Sequence, residues 1–499
     1  MGFDFLDFGF PKSGTDWKSI NGKPYITVSS KGRSNGLSTK INDGADFGPD
    51  TTLNATSPNQ TGAPYSPYIG IEEAIKYAIA NNIGEIRLSA GLFDISNAPF
   101  TTDPLTGRKY KLYIPIVNES TTGEGNNPIS LKIVGASKIV PTAYWTNIPT
   151  SGFRNTTTVY DGSVDTTTTS TVQDFMFGVM STPSTAANPP FNFIALYIDG
   201  IVFQVQGETA SYLGGVDTSY AMLSSFGKIR IGMIQGQALV HQSATGMMWV
   251  MDGGSLAGKT AEQIDIYGFQ DGLISSFGQV YIGYIHVSWC QYAISNYGNY
   301  GQAQVYSGFV GIAEFEYCAV GLNLNTGPLA SGESKISVVF GSFGSGDLFG
   351  PTGQIPYQYS IVAPSAQTYG NAITILAYEL GSSGITPVFS IPNNTDTVRI
   401  LTWEHFGTSS YGFSPTPTTP SVPASGTAIQ NTNPYAVNIY LYGGTVTEIQ
   451  ITKNGIGTAQ TVFSSATGIA LSGQVYKLNP SDTITITYTA APTWEWLSD

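Results

Sequence analysis

Charge is scarce in this chain. Only 11% of its 499 residues are Asp, Glu, Lys or Arg, against about 25% in an ordinary soluble domain. Gly, Thr, Ser, Asn and Tyr fill the polar positions instead, so the surface is expected to be largely neutral and rich in hydroxyls and amides. The formal charge is −13 and there are three His. No basic patch is available, which excludes nucleic acid and anionic lipid as partners. Acid denaturation works mainly through carboxylates that are paired in the fold and must protonate. A chain with few of them is expected to tolerate an acidic exterior, although the same composition is the one β-solenoids use in any setting.

Cysteine is nearly absent. Two residues, Cys290 and Cys318, make neither a disulfide framework nor a zinc site, and both are read as small packed thiols. No apolar run reaches the roughly 18 residues of a membrane span, so no membrane insertion is expected. The opening residues Met1-Gly2-Phe3-Asp4-Phe5-Leu6-Asp7 lack the basic and apolar regions of a signal peptide. An extracellular style of composition without an export signal fits a virion component released by lysis; a processed leader outside this sequence is the competing explanation. No metal and no cofactor is expected.

What the sequence does contain is a repeat. Ile264-x-Ile266 is followed by Gly272-Leu273, Ile285-x-Val287 by Ala293-Ile294, and Ala313-x-Phe315 by Gly321-Leu322, at offsets of 21 and then 28 residues. Self-similarity at such a period marks a solenoid, and alternation at two residues marks strands. The fold class is therefore all-β, a parallel β-helix. Equivalent residues of successive coils stack about 4.8 Å apart. One such column holds Asp265, His286 and Glu314, expected to point outward; another holds Phe269, Cys290 and Cys318. Two acids around an imidazole are the best candidates for general acid–base chemistry or divalent-metal binding; the alternative is a solvated surface ladder in which unlike charges alternate. Asp252, Asp271, Glu316, Glu379 and Glu404-His405 read as turn or surface groups. Trp289, Tyr292, Tyr297, Tyr300, Tyr306 and Tyr317 cluster in or beside the repeat and are candidates for stacking on a glycan or for a subunit interface.

In chain order, residues 1–62 form an arm or opening segment that lacks a core of its own. A helix is predicted over 67–82, with Ser66 as N-cap, Pro67 at the first helical position, and Ile71, Ala74, Ile75, Ala78 and Ile79 as its apolar stripe; it would cover the end of the solenoid. Short β runs continue to 413, and Thr156 to Thr171 reads as a loop. The run Ser414 to Pro423 is a stiff Pro/Thr linker, taken as 414–424. Residues 425–499 are expected to form a small antiparallel β-sandwich with turns at Gly443-Gly444, Asn454-Gly455 and Asn479-Pro480.

The Asp43-Gly44-Ala45-Asp46 stretch, the following helix and the run Ile86-Arg87-Leu88-Ser89-Ala90-Gly91-Leu92-Phe93-Asp94-Ile95 together resemble the opening segment of pectate-lyase-like right-handed β-helix proteins. That group includes polysaccharide lyases and hydrolases and many phage and virus tailspikes. The final module, from Asn433-Pro434-Tyr435 to Trp494-Glu495-Trp496, is similar to one seen on phage and viral surface proteins. The resemblance implies the fold and a right-handed coil. The chain departs from the enzymes: it has no Asp-Asp pair with downstream Gly-His-Gly and Arg-x-Lys, and no Asp cluster with a partnering Arg. The function expected is that of a virion surface attachment protein, tailspike- or fibre-like, that binds a host surface glycan without cleaving it. It would assemble as a homotrimer and meet other virion proteins through the N-terminal arm or the C-terminal module. A polysaccharide lyase or hydrolase on the same scaffold, and a purely architectural capsid or cell-surface protein, are the alternatives.

Overall fold

The structure is a computed structural model. It describes residues 25–30, 45–117, 128–137, 156–163, 174–182, 192–206, 213–234, 244–249, 259–275, 280–296, 306–316, 318–323, 334–345, 359–362, 372–380, 389–390, 397–405, 419–433, 436–453 and 457–498. The chain divides into two compact units: Met1–Ser275 with Tyr281–Gln291 and Thr352–Gln354, and Ser276–Val280 with Tyr292–Pro351 and Ile355–Asp499. Apart from one helix, the described elements are strands.

In the first unit successive strands alternate between two mainly parallel sheets. The first sheet runs Ile26–Val28, Glu85–Leu88, Ile129–Val134, Asn192–Asp199, Ala221–Ile234, Lys259–Tyr267 and Val280–Ser288. The second runs Lys109–Ile114, Asp174–Val179, Leu213–Asp217, Thr245–Trp249 and Asp271–Ser275, with Thr101–Thr102 antiparallel at its edge. A third set, Gly91–Asp94, Thr157–Asp161 and Ile201–Gln206, pairs in parallel and joins the far half of Ala221–Ile234. The Thr-rich stretch predicted as a loop therefore begins with a strand in which Thr157 and Thr158 are buried. β-branched Thr suits a buried pleat as well as a loop, so composition alone misassigned it; residues 164–171 lie outside the described residues.

Gly200 makes the bend that lets Asn192–Asp199 pass into Ile201–Gln206. Its φ is +67°, in the left-handed region where a Cβ is costly. Alternate residues, among them Ile198, Ile201, Phe203, Ile231, Ile266 and Phe177, turn into one apolar core, each contributing about 1.5–3 kcal/mol relative to an exposed position.

The helix is shorter than predicted, Ile71–Ala80, and its N-cap is Gly70 at φ 77° with no side-chain cap bond. Ser66 serves the preceding turn instead: its hydroxyl accepts the Tyr68 N–H and donates to Glu73 Oε2 at 2.7 Å. The apolar stripe Ile71, Ala74, Ile75 and Ala78 is buried as expected, against the first strands of both sheets. Ile26–Val28, inside the predicted arm, is paired with Glu85–Leu88, so this part of the segment belongs to the sheet.

In the second unit Tyr306–Glu316, Ser334–Ser345, Ala372–Leu380 and Thr397–His405 form one parallel series, and Tyr292–Asn296, Val320–Asn323, Tyr359–Val362 and Phe389–Ser390 another. Its C-terminal module is one five-stranded antiparallel sheet rather than a sandwich of two. Gly443-Gly444 is not a hairpin turn. Val437–Thr452 runs straight through it as a single strand, with Gly443 and Gly444 at φ 71° and 67° and register shifts on either side. Such bulges bend a strand. Thr493–Ser498 pairs with its first half, Thr483–Ala490 with its second, and Ala459–Leu478 lies along both. The core includes Ile439, Leu441, Ile449, Ile486, Trp494 and Trp496. Trp494 Nε1 donates to the Pro420 carbonyl at 2.6 Å and the Tyr488 hydroxyl to that of Pro423 at 2.7 Å. Residues 419–424, predicted as linker, are thus tied to the module.

Candidate functional site

Asp265 and His286 do meet, as the 21-residue register requires. His286 Nδ1 lies 3.3 Å from Asp265 Oδ1. The stack has a member that the repeat did not include: Arg230 is paired with Asp265 in register, with Nη1 3.8 Å from Oδ2. Burial disfavours the charged guanidinium and lowers its pKa, with Asp265 opposing. Glu314 lies on Tyr306–Glu316 in the second unit, half-buried and paired with Ser342.

The expectation that this column faces solvent is wrong. Asp265 is 0% exposed and His286 8%, because both faces of the strands at this corner are covered: Val202 and Gln204 are buried as well as Ile201, Phe203 and Val205. A cation, an anion and an imidazole stacked out of water neutralise one another, and removing one strands the rest. They hold the corner and cannot receive a polymeric ligand. The surface-ladder reading falls for the same reason.

Of the aromatic candidates, Trp289 is also withdrawn from solvent. Trp289 is 7% exposed, packed with its ring 6.4 Å from that of Tyr267, and occupies the left-handed region at φ 58°, as Gly268 does one coil earlier at 88°. Tyr292 is half-buried. Tyr297, Tyr300 and Tyr317 lie outside the described residues, as does the side chain of Tyr306. Cys290 and Cys318 are buried and form no disulfide; the Cys290 thiol accepts the Phe269 N–H at 3.4 Å, the neighbour its column predicted. Asp252 also lies outside the described residues, Asp271 and Glu316 are half-buried, and Glu379 pairs with Glu404 in register on neighbouring strands. Among the described residues no three His, Cys, Asp or Glu side chains converge as metal ligands would, and no helix is long and apolar enough to cross a membrane.

A different set of polar groups lies on the outward face of the first sheet, N-terminal to the bend. Strand register places Lys132, Tyr197, Ser225 and Thr260 in one row, and the 21-residue offset adds Tyr281. Two residues along each strand, a second row holds Asp199, Gly227, Glu262 and Gly283. The rows interlock. The Ser225 and Thr260 hydroxyls are bonded at 2.8 Å, Lys132 Nζ lies 5.3 Å from the Tyr197 ring centroid, and Lys228 Nζ is 3.6 Å from Glu262 Oε1. Asp199 Oδ1 accepts the Lys228 N–H at 2.8 Å.

Gly227 makes the arrangement possible. A Cβ there would stand 2.2 Å from Asp199 Oδ1 and 2.7 Å from the Tyr197 hydroxyl oxygen, so both groups lean over the bare backbone. Burial, then the negative charges of Asp199 and Glu262, push the Tyr197 phenol up to about 12, so it remains a donor at neutral pH. Tyr281 is 47% exposed. Together these groups form a shelf floored by glycine, edged by two carboxylates and hydroxyls, with an exposed aromatic ring at one end. The sequence carried a signal for it: applying the 21-residue offset four residues before Ile264 aligns Thr260 with Tyr281 and Glu262 with Gly283. The apolar pairs that define the repeat begin only at Ile264.

No protein family's sequence profile matches the chain, and no curated protein sequence matches it. Among solved structures it is similar to the enzymatically active domain of tailspike protein 2 from bacteriophage CBA120, at 10% identity and a TM-score of 0.27 over 88% of this chain and 75% of that one. It is also similar to full-length tailspike protein 2 from an Escherichia coli O157:H7 bacteriophage, at 10% identity and a TM-score of 0.23 over 88% and 67%.

Proposed function

We propose that the chain is a virion surface attachment protein of tailspike kind, whose parallel sheets are walls of one right-handed β-helix and whose outward face binds a host surface glycan without cleaving it. The observation that carries this reading is the shelf on the first sheet. Sugars are recognised by aromatic faces and by clustered hydroxyls and carboxylates, and the rows from Tyr197 to Tyr281 supply both on a rigid sheet. The weakly charged composition, rich in hydroxyls and amides, favours an extracellular site of action. Assembly as a homotrimer, with the arm or the C-terminal module meeting other virion proteins, completes the reading.

The test is competition. Purified chain added to a susceptible host blocks adsorption of the particle, and periodate oxidation of the host envelope removes the effect. Absence of the chain from particle surfaces, or undiminished adsorption at saturating protein, defeats the proposal. One observation favours a second reading, glycoside hydrolysis. The backbones of Asp199 and Glu262 are two strand spacings apart, about 9.6 Å, and the lean of Asp199 over Gly227 brings its carboxyl closer to Glu262, toward the roughly 6.5–9.5 Å that inverting glycosidases leave between carboxyls. Release of reducing ends from host polysaccharide would establish it.

A further inference from the structure

Resting on the attachment reading, we propose that the shelf formed by Tyr197, Asp199, Gly227, Glu262, Gly283 and Tyr281 selects uncharged glycans, its two carboxylates accepting hydrogen bonds from sugar hydroxyls while Tyr281 supplies the stacking face. The acceptors are placed for it. An ionised carboxylate offers about four lone-pair sites, and the Lys228 N–H uses one on Asp199. Asp199 and the Tyr197 hydroxyl converge over Gly227, so an acceptor and a donor stand side by side as adjacent sugar hydroxyls require. At Gly283 a Cβ would lie 2.7 Å from the Glu262 carbonyl oxygen; with hydrogen there, the floor stays low beside Tyr281. From Tyr197 to Tyr281 the row crosses three strand spacings, about 14 Å, the reach of a short oligosaccharide.

Charge decides the class. Uronates, sialates, sulfates and phosphates would meet Asp199 and Glu262 on a chain of net charge −13. Lys228 against Glu262 and Lys132 over Tyr197 balance the two carboxylates, so the shelf itself offers a polyanion no surplus cation and the repulsion comes from the chain as a whole. Like charge at an interface selects against the wrong partner, so a chain of net charge −13 disfavours a polyanion at a shelf without surplus cations, while the carboxylates remain acceptors for a neutral diol.

The experiment is a polysaccharide array carrying dextran, mannan and galactan beside polygalacturonate, hyaluronan and heparin, probed with the full chain and with Tyr281→Ala, Asp199→Asn and Glu262→Gln. All three side chains are at least partly exposed, and Asn and Gln keep an acceptor, so melting curves should match that of the unmodified chain. Expected are binding to an uncharged polysaccharide that does not weaken with added salt, a loss of about tenfold or more in each carboxamide variant, and no binding to the polyanions. Uncharged-glycan binding that survives all three substitutions, or salt-sensitive binding to polyanions alone, overturns the inference and leaves the attachment reading standing. Binding to no glycan on the array and none on host envelope overturns both.

Discussion

Glu72 gives the chain an unusual dependence on pH. It lies on the buried side of the helix at 0% exposure, where burial, opposed by Lys76 and the Tyr113 N–H, pushes its carboxyl up to about 8 from 4.5. In the unfolded chain the carboxyl loses its proton near 4.5; in the fold it keeps it until about 8. Between those values the folded state holds the extra proton, so the stabilisation present below pH 4.5 is lost as pH rises toward 8. At about 1.36 kcal/mol per unit the full window is worth about 5 kcal/mol, with the pairing to Lys76 Nζ, 3.3 Å from Oε1, already set against the burial.

Glu72→Gln removes the titration and keeps an acceptor for the Tyr113 N–H, which Glu72 Oε2 accepts at 3.0 Å. Denaturant unfolding followed by Trp fluorescence should give nearly equal stability for the two proteins at pH 4. By pH 8 the Gln variant should be ahead by several kcal/mol. Parallel curves from pH 4 to 8 would mean that Glu72 is ionised throughout, held by Lys76, and the reasoning would be refuted. If the difference is found, part of the expected tolerance to acid comes from a carboxyl that prefers to be neutral, in addition to the scarcity of charge.

Other outcomes follow from buried groups. Lys111 Nζ lies 2.7 Å from Asp161 Oδ1 with both side chains out of water, so Lys111→Met should cost about 3–5 kcal/mol by leaving that carboxylate unpaired, and Asp161→Asn added to it should restore much of the loss in the same denaturation assay. Asp265→Ala should be comparably destabilising through Arg230, whereas His286→Ala should leave glycan binding on the array unchanged. Gly178→Ala would put a Cβ 2.0 Å from the Tyr110 ring, and overpacking of that kind costs about 1–3 kcal/mol, measurable as a lower midpoint of unfolding. A fragment 419–499 should unfold at higher denaturant than 425–499, by about 1–3 kcal/mol, because the shorter one loses the carbonyls that bond Trp494 and Tyr488.

The sequence by itself determined the strand register of mid-chain, since side chains alternate faces at a period of two and a slip of one would bury the wrong set. That is why Asp265 found His286, and why Phe269 met Cys290. It also determined the apolar stripe from Ile71 to Ala78, through helical spacing. Local signals failed where two structures satisfy the same residues: Ser66 can cap a turn as well as a helix, and Gly443-Gly444 can bulge a strand as well as reverse it. What only the tertiary structure decided is which outward-facing rows meet water. Alternation counted from Ile264 points Asp265 away from the core but would turn Glu262, three residues earlier, inward; the bend resets the phase between Ala261 and Ile264, and only packing decides that the corner beyond Lys228 is covered on both faces while the sheet before it is open. Burial depends on what packs against a face from distant parts of the chain, so the predicted column became an internal charge stack and the exposed site emerged one bend earlier, around Tyr197, Asp199, Glu262 and Tyr281.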